Sequence, residues 1–417
     1  MKHRAAGMVI LILGVNCCRA LAVSEATACL FLTISPSPQA IAMGSSYGAA
    51  ATTSPMAAIM NPAALGLFGR HHFFGQEYYP EEIAWLPQLG GDMTYDAQAT
   101  AIGINLRQFS RIPISIGVAR TKVALDLGIL YRTSESSPEP IESSFGFENS
   151  EGTSLALAVD YFLRVSLGFT WKRVNSHLAP LSAAAEAQLD AKDWGLMLQA
   201  PLVEMGRKTG VLKPGLTPVF DFWLDPGFYY SKTNIGDKVV YIDAAQADPL
   251  PRTLSMGLNL QAGVRYRGLI LAGFSWSREM DDLLLERDRD GSFRYLDAPP
   301  DLRFWDNVVR GKANSGTVRK CGHEINLADF YFLRSGTYED IAGRASAGTS
   351  GYGISFLQPL RIAAVIFKRD NTRWGRILSR ISFEKHHAEY EKDAQYPFTG
   401  QTFNSYLLKL SGFPILD

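Results

Sequence analysis

The stretch RTLSMGLNLQAGVRYRG, residues 252–268, alternates apolar and polar side chains along most of its length. Leu254, Met256, Leu258, Leu260, Ala262, Val264 and Tyr266 fall on one face. Ser255, Gly257, Asn259, Gln261, Gly263, Arg265 and Arg267 fall on the other. Successive side chains of a strand point to opposite faces, so a period of two predicts a strand with one apolar and one polar wall. The next stretch, GLILAGFSWSRE, sets Ile270, Ala272, Phe274 and Trp276 against Gly273, Ser275 and Ser277. Only residues 266–269 separate the two, which predicts a tight hairpin.

The same pattern recurs elsewhere. FLRVSLGFTWKRV places Val165, Leu167, Phe169 and Trp171 opposite Arg164, Ser166, Gly168 and Thr170, and SLALAVDY before it offers Leu155, Leu157 and Val159 as a partner face. TFNSYLLKLSGF sets Tyr406, Leu408 and Leu410 against Ser405, Lys409 and Ser411. Further strands are predicted over 100–106, 114–119, 124–133, 195–201, 217–224, 228–233, 325–334, 351–356, 361–368 and 381–390. The sum is roughly fourteen segments, mostly near the length of a tilted membrane-spanning strand, about 9–11 residues.

A soluble sandwich buries its apolar face, whereas a membrane barrel turns that face to lipid. Trp171, Tyr266, Trp276 and Tyr406 stand near strand ends, as an interfacial girdle would, and Arg164, Arg265 and Lys409 on the polar face suit a wet lumen. These features favour an all-β, transmembrane antiparallel barrel of about 14 strands over a soluble secreted β protein. Long connections are expected at 134–152, 229–251 and 279–322, on the extracellular side.

Composition agrees with export. The 417 residues carry 41 Lys plus Arg and 41 Asp plus Glu, so no nucleic-acid partner is implied by bulk charge. Met1 to Arg4 is cationic, Ala5 to Val15 is apolar, and Ala20-Leu21-Ala22 gives a signal-peptide cleavage site after Ala22, with Ala26-Thr27-Ala28 as a second option. The apolar run falls short of the roughly 20 residues that span a bilayer. Cys17 and Cys18 follow the polar Asn16, which disfavours lipidation. After cleavage Cys29 and Cys321 remain, too far apart in sequence to set a metal spacing or a disulfide framework. The expected organisation is a signal peptide at 1–22, an N-terminal extension at 23–80 and a barrel at 81–417.

The extension contains MGSSYGAAATTSPMAAIMNPAALG, residues 43–66, small and free of charge. Pro62 fixes φ and biases Asn61 towards extended backbone, and an Asn side chain can close an Asx turn there. Such a pre-set bend suits a plug seated in a lumen; the plainer alternative is an ordinary turn before a short helix. In ERDRDGSFRYLD, Glu286, Asp288, Asp290, Gly291 and Asp297 approximate a calcium-loop count, though Glu286, Arg294 and the lack of flanking helices fit a solvated acidic loop better. His71-His72 and His386-His387 are adjacent pairs, and neighbours on a strand diverge, so no metal site is expected of them. No G-x-S-x-G is present, and GTSGYG at 348–353 lacks the Lys of a phosphate loop, so neither an enzyme nor a cofactor is expected.

Residues 31–68, with Ala42-Met43-Gly44 and Asn61-Pro62-Ala63, resemble the start of mature PorV/PorQ-family outer-membrane proteins, within the superfamily of FadL-type channels. Ser54 stands where an acidic residue is common, and Ala64 where Gly often follows. ADPLPRTLSMGLNLQAG at 247–263 and the stretch 322–356, with Glu324, Arg334 and Gly353, resemble later parts of the family in the same order. The resemblance implies a monomeric barrel in the bacterial outer membrane, with Met43, Gly44, Asn61, Pro62 and Ala63 in a lumenal hatch. Arg164, Asn259, Gln261, Arg265, Glu324 and Arg334 are the expected lumen-facing residues. It implies one of two roles: an accessory or shuttle for secreted cargo protein in type IX-like secretion, or passage of fatty acids and other hydrophobic small molecules.

Overall fold

In a computed structural model of the chain, the described residues are 27–46, 54–82, 93–107, 113–134, 137–178, 186–212, 220–241, 247–289, 292–391 and 400–411. The expected signal peptide, Cys17, Cys18, Asp290 and the chain beyond residue 411 lie outside them. Among the described residues sixteen strands are formed. They are β1 (Phe74–Glu82), β2 (Thr94–Asn105), β3 (Ile114–Ser134), β4 (Ser137–Asp160), β5 (Arg164–His177), β6 (Glu186–Gln199), β7 (Phe220–Gly236) and β8 (Thr253–Tyr266). The rest are β9 (Leu269–Leu283), β10 (Leu285–Arg287), β11 (Phe293–Tyr295), β12 (Thr317–Leu327), β13 (Tyr331–Asp340), β14 (Ala345–Ser355), β15 (Ile381–Tyr390) and β16 (Thr402–Leu410).

Fourteen of these strands close into one antiparallel barrel, each paired with its neighbours in sequence, while β10 and β11 form a separate hairpin. The seam is β1 against β16, with Phe74 opposite Leu410 and Tyr78 opposite Tyr406. The end from which β1 rises is called the base here and the other end the top. At the base, β8–β9 and β12–β13 join through turns of two and three residues, 267–268 and 328–330. The longest connection, 284–316, is at the top. Closure removes free strand edges, so every wall strand finds partners on both sides.

The alternation reads out as expected. Along β5, the buried positions are polar or small apart from Val174, and the exposed positions are Leu167, Phe169, Trp171 and, nearer the top, Arg173. Leu155, Leu157 and Val159 of β4, Val118 of β3 and Ile102 and Ile104 of β2 are likewise exposed. The apolar face is therefore outside, and the polar face lines the lumen. A soluble barrel would have the reverse.

Several segments differ from the sequence reading. The stretches 114–119 and 124–133 are one strand, β3, and β7 takes up 228–233 together with 220–224, the described part of the expected 217–224 strand. Residues 325–334 are two strands across a turn, and 361–368 is mostly helical; its apolar residues 362–367 are consecutive, a run that either element accommodates. β1 begins at Phe74, ahead of the expected barrel start at 81. The expected long loop at 134–152 is largely strand, since β3 and β4 run on there, whereas that at 229–251 is strand to Gly236, the end of β7, and then a connection to β8.

Candidate functional site

The lumen holds the chain's own N-terminal residues. Residues 27–46 and 54–71 form short helical turns: Leu30–Thr33, α1 (Pro38–Ile41), α2 (Ala57–Met60) and α3 (Ala64–His71). Ala42, Met43, Met56, Ala57, Ala58, Ala63, Leu65 and Phe68 are all fully buried there. Helices this short are unstable in isolation, so their shape depends on the surrounding wall.

The wall is built to receive them. Registers align Gly103 of β2 with Gly117 of β3, Gly117 with Ala156 of β4, Ala156 with Gly168 of β5, and Gly168 with Gly195 of β6. The result is one row of minimal side chains crossing five neighbouring strands on the inner face. A Cβ at Gly103 would overlap the His72 carbonyl, at Gly117 the Leu65 carbonyl, at Gly168 the backbone of Pro62, and at Gly195 the Asn61 side chain. Backbone of the hatch thus lies directly on backbone of the wall, which only glycine permits.

Asn61 has φ −147° and ψ 103°, the extended conformation that a following Pro imposes. Its Oδ1 accepts the Ala63 amide at 3.0 Å, closing the Asx turn, and α3 follows directly. Wall hydroxyls satisfy the hatch backbone: Ser166 donates to the Ala63 carbonyl at 2.5 Å and Ser115 to the Gly66 carbonyl at 2.7 Å. Across the lumen, Gly44 has φ +68°, and its amide donates to Thr349 Oγ1 at 2.9 Å. A Cβ at Gly322 or Gly336, which face each other across β12 and β13, would overlap Met43 and Gly44. Ser46 bonds Ser277, and Ser54 donates to Glu77 of β1, so at this position the carboxylate belongs to the wall.

Above the hatch, Cys29, Phe31 and Ile34 pack with Tyr79, Tyr95 and Phe403. A cavity of only about 60 Å³ remains, lined in part by Phe31, Ile34, Tyr95 and Lys172. Burial, then the nearby Glu148 carboxylate, pushes the Cys29 thiol up, so it stays protonated.

Below the hatch, a cavity of about 710 Å³ opens towards the base. Arg164 is its hub, bonding Asp225 at 2.7 Å, Gln199 at 3.0 Å and Glu204 at 3.0 Å, with Asp160 at 3.6 Å. Arg70 of the hatch reaches the same Asp160 at 2.7 Å. On the far side Arg334 pairs with Glu324 at 2.7 Å and with His386 at 3.2 Å; His386 and Lys409 both hold Glu384, at 3.1 and 2.8 Å. Arg265 lies over the Trp223 ring, 4.3 Å from its centre, and 3.6 Å from Asp221. Gln261 accepts from Gln199 at 3.1 Å.

Five of the six expected lumen residues, Arg164, Gln261, Arg265, Glu324 and Arg334, line this one cavity. Asn259 is buried deeper, beside Gly227. Sequence reasoning missed Asp160, Glu204, Asp225 and Glu384, although strand parity alone places Glu384 inward two residues from His386. It also missed Lys320, which is paired with Asp281 at 2.5 Å and Glu279 at 3.2 Å.

The weaker candidates disperse. Among the described residues no three His, Cys, Asp or Glu side chains are grouped to hold a metal. Arg294 pairs with Glu286 and, at 3.4 Å, with Asp288 within the β10–β11 hairpin, and the Asp297 carbonyl accepts from Lys232. His387 turns away from His386 to Asn404, 3.0 Å. Cys29 and Cys321 are both free thiols.

The long top connection folds over the outside of the wall. A π-helical turn, Phe304–Val309, buries Val308 with Leu254, Met280, Leu284 and Leu302. Leu254, expected to meet lipid, is thus outward but covered. Outward Asp282 accepts the amides of Asp301 and Leu302 at 2.9 and 2.7 Å, and Arg278 donates to the Val309 carbonyl at 3.0 Å.

The arrangement defines a closed fourteen-stranded β-barrel occluded by its own N-terminal segment. No family model and no curated protein matches the chain. Among solved structures it is similar to the toluene transporter TbuX of Ralstonia pickettii, with 13% identity, 90% of this chain and 98% of that one covered, and a TM-score of 0.43. It is also similar to the TodX monoaromatic hydrocarbon channel, at 11% identity, 90% and 98% coverage and a TM-score of 0.41. The β domain of the Bordetella autotransporter BrkA gives 8% identity, 82% and 100% coverage and a TM-score of 0.36. Likeness at this level carries no argument about what this chain conveys.

Proposed function

We propose that this chain is a bacterial outer-membrane barrel that conveys or captures cargo under control of its N-terminal hatch. The outward apolar face supports the membrane setting, and the two- and three-residue turns of β8–β9 and β12–β13 at the base, beside two helical connections there, support a periplasmic base with the longest connection outside. One observation carries the gating: the hatch lies backbone to backbone in the wall's glycine row, so passage requires it to leave.

The reading preferred is the PorV/PorQ-type role in protein export, as a type IX-like accessory or shuttle. Its support is the resemblance over residues 31–68 together with the charged lining of the lower cavity, which suits a polar peptide segment better than a hydrocarbon. The second reading is a FadL-like path for fatty acids or other hydrophobic compounds, favoured by the Phe31, Ile34 and Tyr95 cluster above the hatch. Proteoliposomes that accumulate a long-chain fatty acid in proportion to barrel content would decide for that second reading.

Gating is tested by a lock. In the double variant Ser46→Cys with Ser277→Cys, oxidation is expected to hold single-channel conductance at the closed level under conditions that open the parent, and reduction to restore opening. Equal opening before and after reduction, with the crosslink confirmed by mass, would overturn the gate.

A further inference from the structure

We propose that the helical hairpin between β14 and β15 is an interfacial anchor that lies on the periplasm-facing leaflet and binds anionic phospholipid headgroups. The inference rests on the outer-membrane reading above and adds a site to it. The hairpin consists of α5 (Gln358–Ile366) and α6 (Arg373–Leu378); α4 (Leu202–Lys208) also lies at the base.

Its charge is one-sided. Residues 356–380 hold Arg361, Lys368, Arg369, Arg373, Arg376 and Arg380 against Asp370 alone, in a chain whose 41 cations and 41 carboxylates balance. Arg361 and Arg380 line the lower cavity, which leaves Lys368, Arg369, Arg373 and Arg376 exposed. Its apolar side chains are exposed too. Trp374 is 75% and Phe367 72% accessible, with Ile366, Leu360 and Ile377 beside them in sequence. Exposed large apolar groups interleaved with cations are the signature of a helix lying in a headgroup layer, where apolar side chains enter the acyl boundary and cations meet phosphate.

The hairpin is also continuous with the outer wall. Phe356 stacks on Phe383 at 5.5 Å, and Phe383 on Tyr406 at 6.5 Å, an exposed aromatic ladder across the outer face of β15 and β16. Gln358 fixes the first helix to the barrel by donating to the Ala328 carbonyl at 2.7 Å, and Thr372 caps the second by accepting the Gly375 amide at 3.2 Å. The helices are therefore held where the wall meets the leaflet. A second copy docked on this face would set like charges against each other, which disfavours self-association there.

The test uses the full chain in vesicles, with Trp374→Cys carrying an environment-sensitive fluorophore in a Cys29→Ser, Cys321→Ser background. A second label at Phe169→Cys, on the outer wall, reports the barrel itself. In phosphatidylethanolamine–phosphatidylglycerol vesicles the Trp374 label is expected to shift blue and to be quenched by nitroxide lipids. Arg369→Glu, Arg373→Glu and Arg376→Glu together should reduce that quenching several-fold while the Phe169 label is unchanged. A water-exposed Trp374 label beside a lipid-quenched Phe169 label overturns the anchor alone. A Phe169 label exposed to water overturns the membrane reading. Shielding from water without lipid quenching assigns the hairpin to a protein partner and overturns the proposal, and equal quenching in neutral vesicles overturns the headgroup assignment.

Discussion

Gly117 shows how much a single missing Cβ can decide. It sits where the Leu65 carbonyl of the hatch meets the wall, and its row partners Gly103, Gly168 and Gly195 are in the same position. Gly117→Val is expected to unseat α3 at a cost of about 1–3 kcal/mol, the usual scale of overpacking. The readout is a raised resting conductance in a barrel whose heat-modifiable gel mobility is retained. Val118→Ala, one residue along on the outer face, should leave the resting conductance at the parental level. The sequence displayed Gly117, Gly168 and Gly195 within strand patterns, but nothing local marked them as one row. Their alignment comes from pairing registers across five strands, and register is a long-range property. The hatch half of the contact was legible, because Asn61-Pro62 dictates its bend through local stereochemistry alone.

Between elements, the Arg164 guanidinium at the start of β5 joins the end of β4 through Asp160, β6 through Gln199, β7 through Asp225 and α4 through Glu204. Removing one partner from a buried ion network leaves the others uncompensated, at a cost of about 3–5 kcal/mol. Arg164→Met should therefore lower the urea midpoint of the detergent-solubilised barrel, and adding Asp225→Asn should recover part of the loss. Alternation made Arg164 legible as lumen-facing, but its acids come from separate parts of the sequence, Asp225 from within β7 and the others from the margins of the strands. Asp160 closes one strand just before the turn, and Glu204 belongs to a short helix in a connection. The same limit explains the segment 361–368. Short apolar runs fit a strand or a helix equally well until their neighbours decide.

At the scale of the molecule, number and closure were legible while the outline was not. About fourteen segments were expected and fourteen strands close the ring, yet some expected segments were halves of one strand and one was a helix. The sequence carried the amount of strand and left its division to pairing. Closure of the whole can be followed at Cys29, whose thiol is buried at the top and held protonated, by desolvation first and Glu148 second. At about pH 8 a maleimide should modify Cys29 far more slowly than the partly exposed Cys321, because only the thiolate is the nucleophile. Conditions that open the channel should raise the Cys29 rate without changing that of Cys321, as followed by mass spectrometry.

The seam gives the hatch a second meaning. The ring is completed only where β1 meets β16, and α3 ends at His71, just ahead of β1 at Phe74. The wall therefore closes around a segment tethered to its own first strand, so the hatch stands to the barrel as a mandrel to a tube. Strand number and stagger set the width of the cylinder, so adding or losing a single strand pair would leave the stopper loose or crushed.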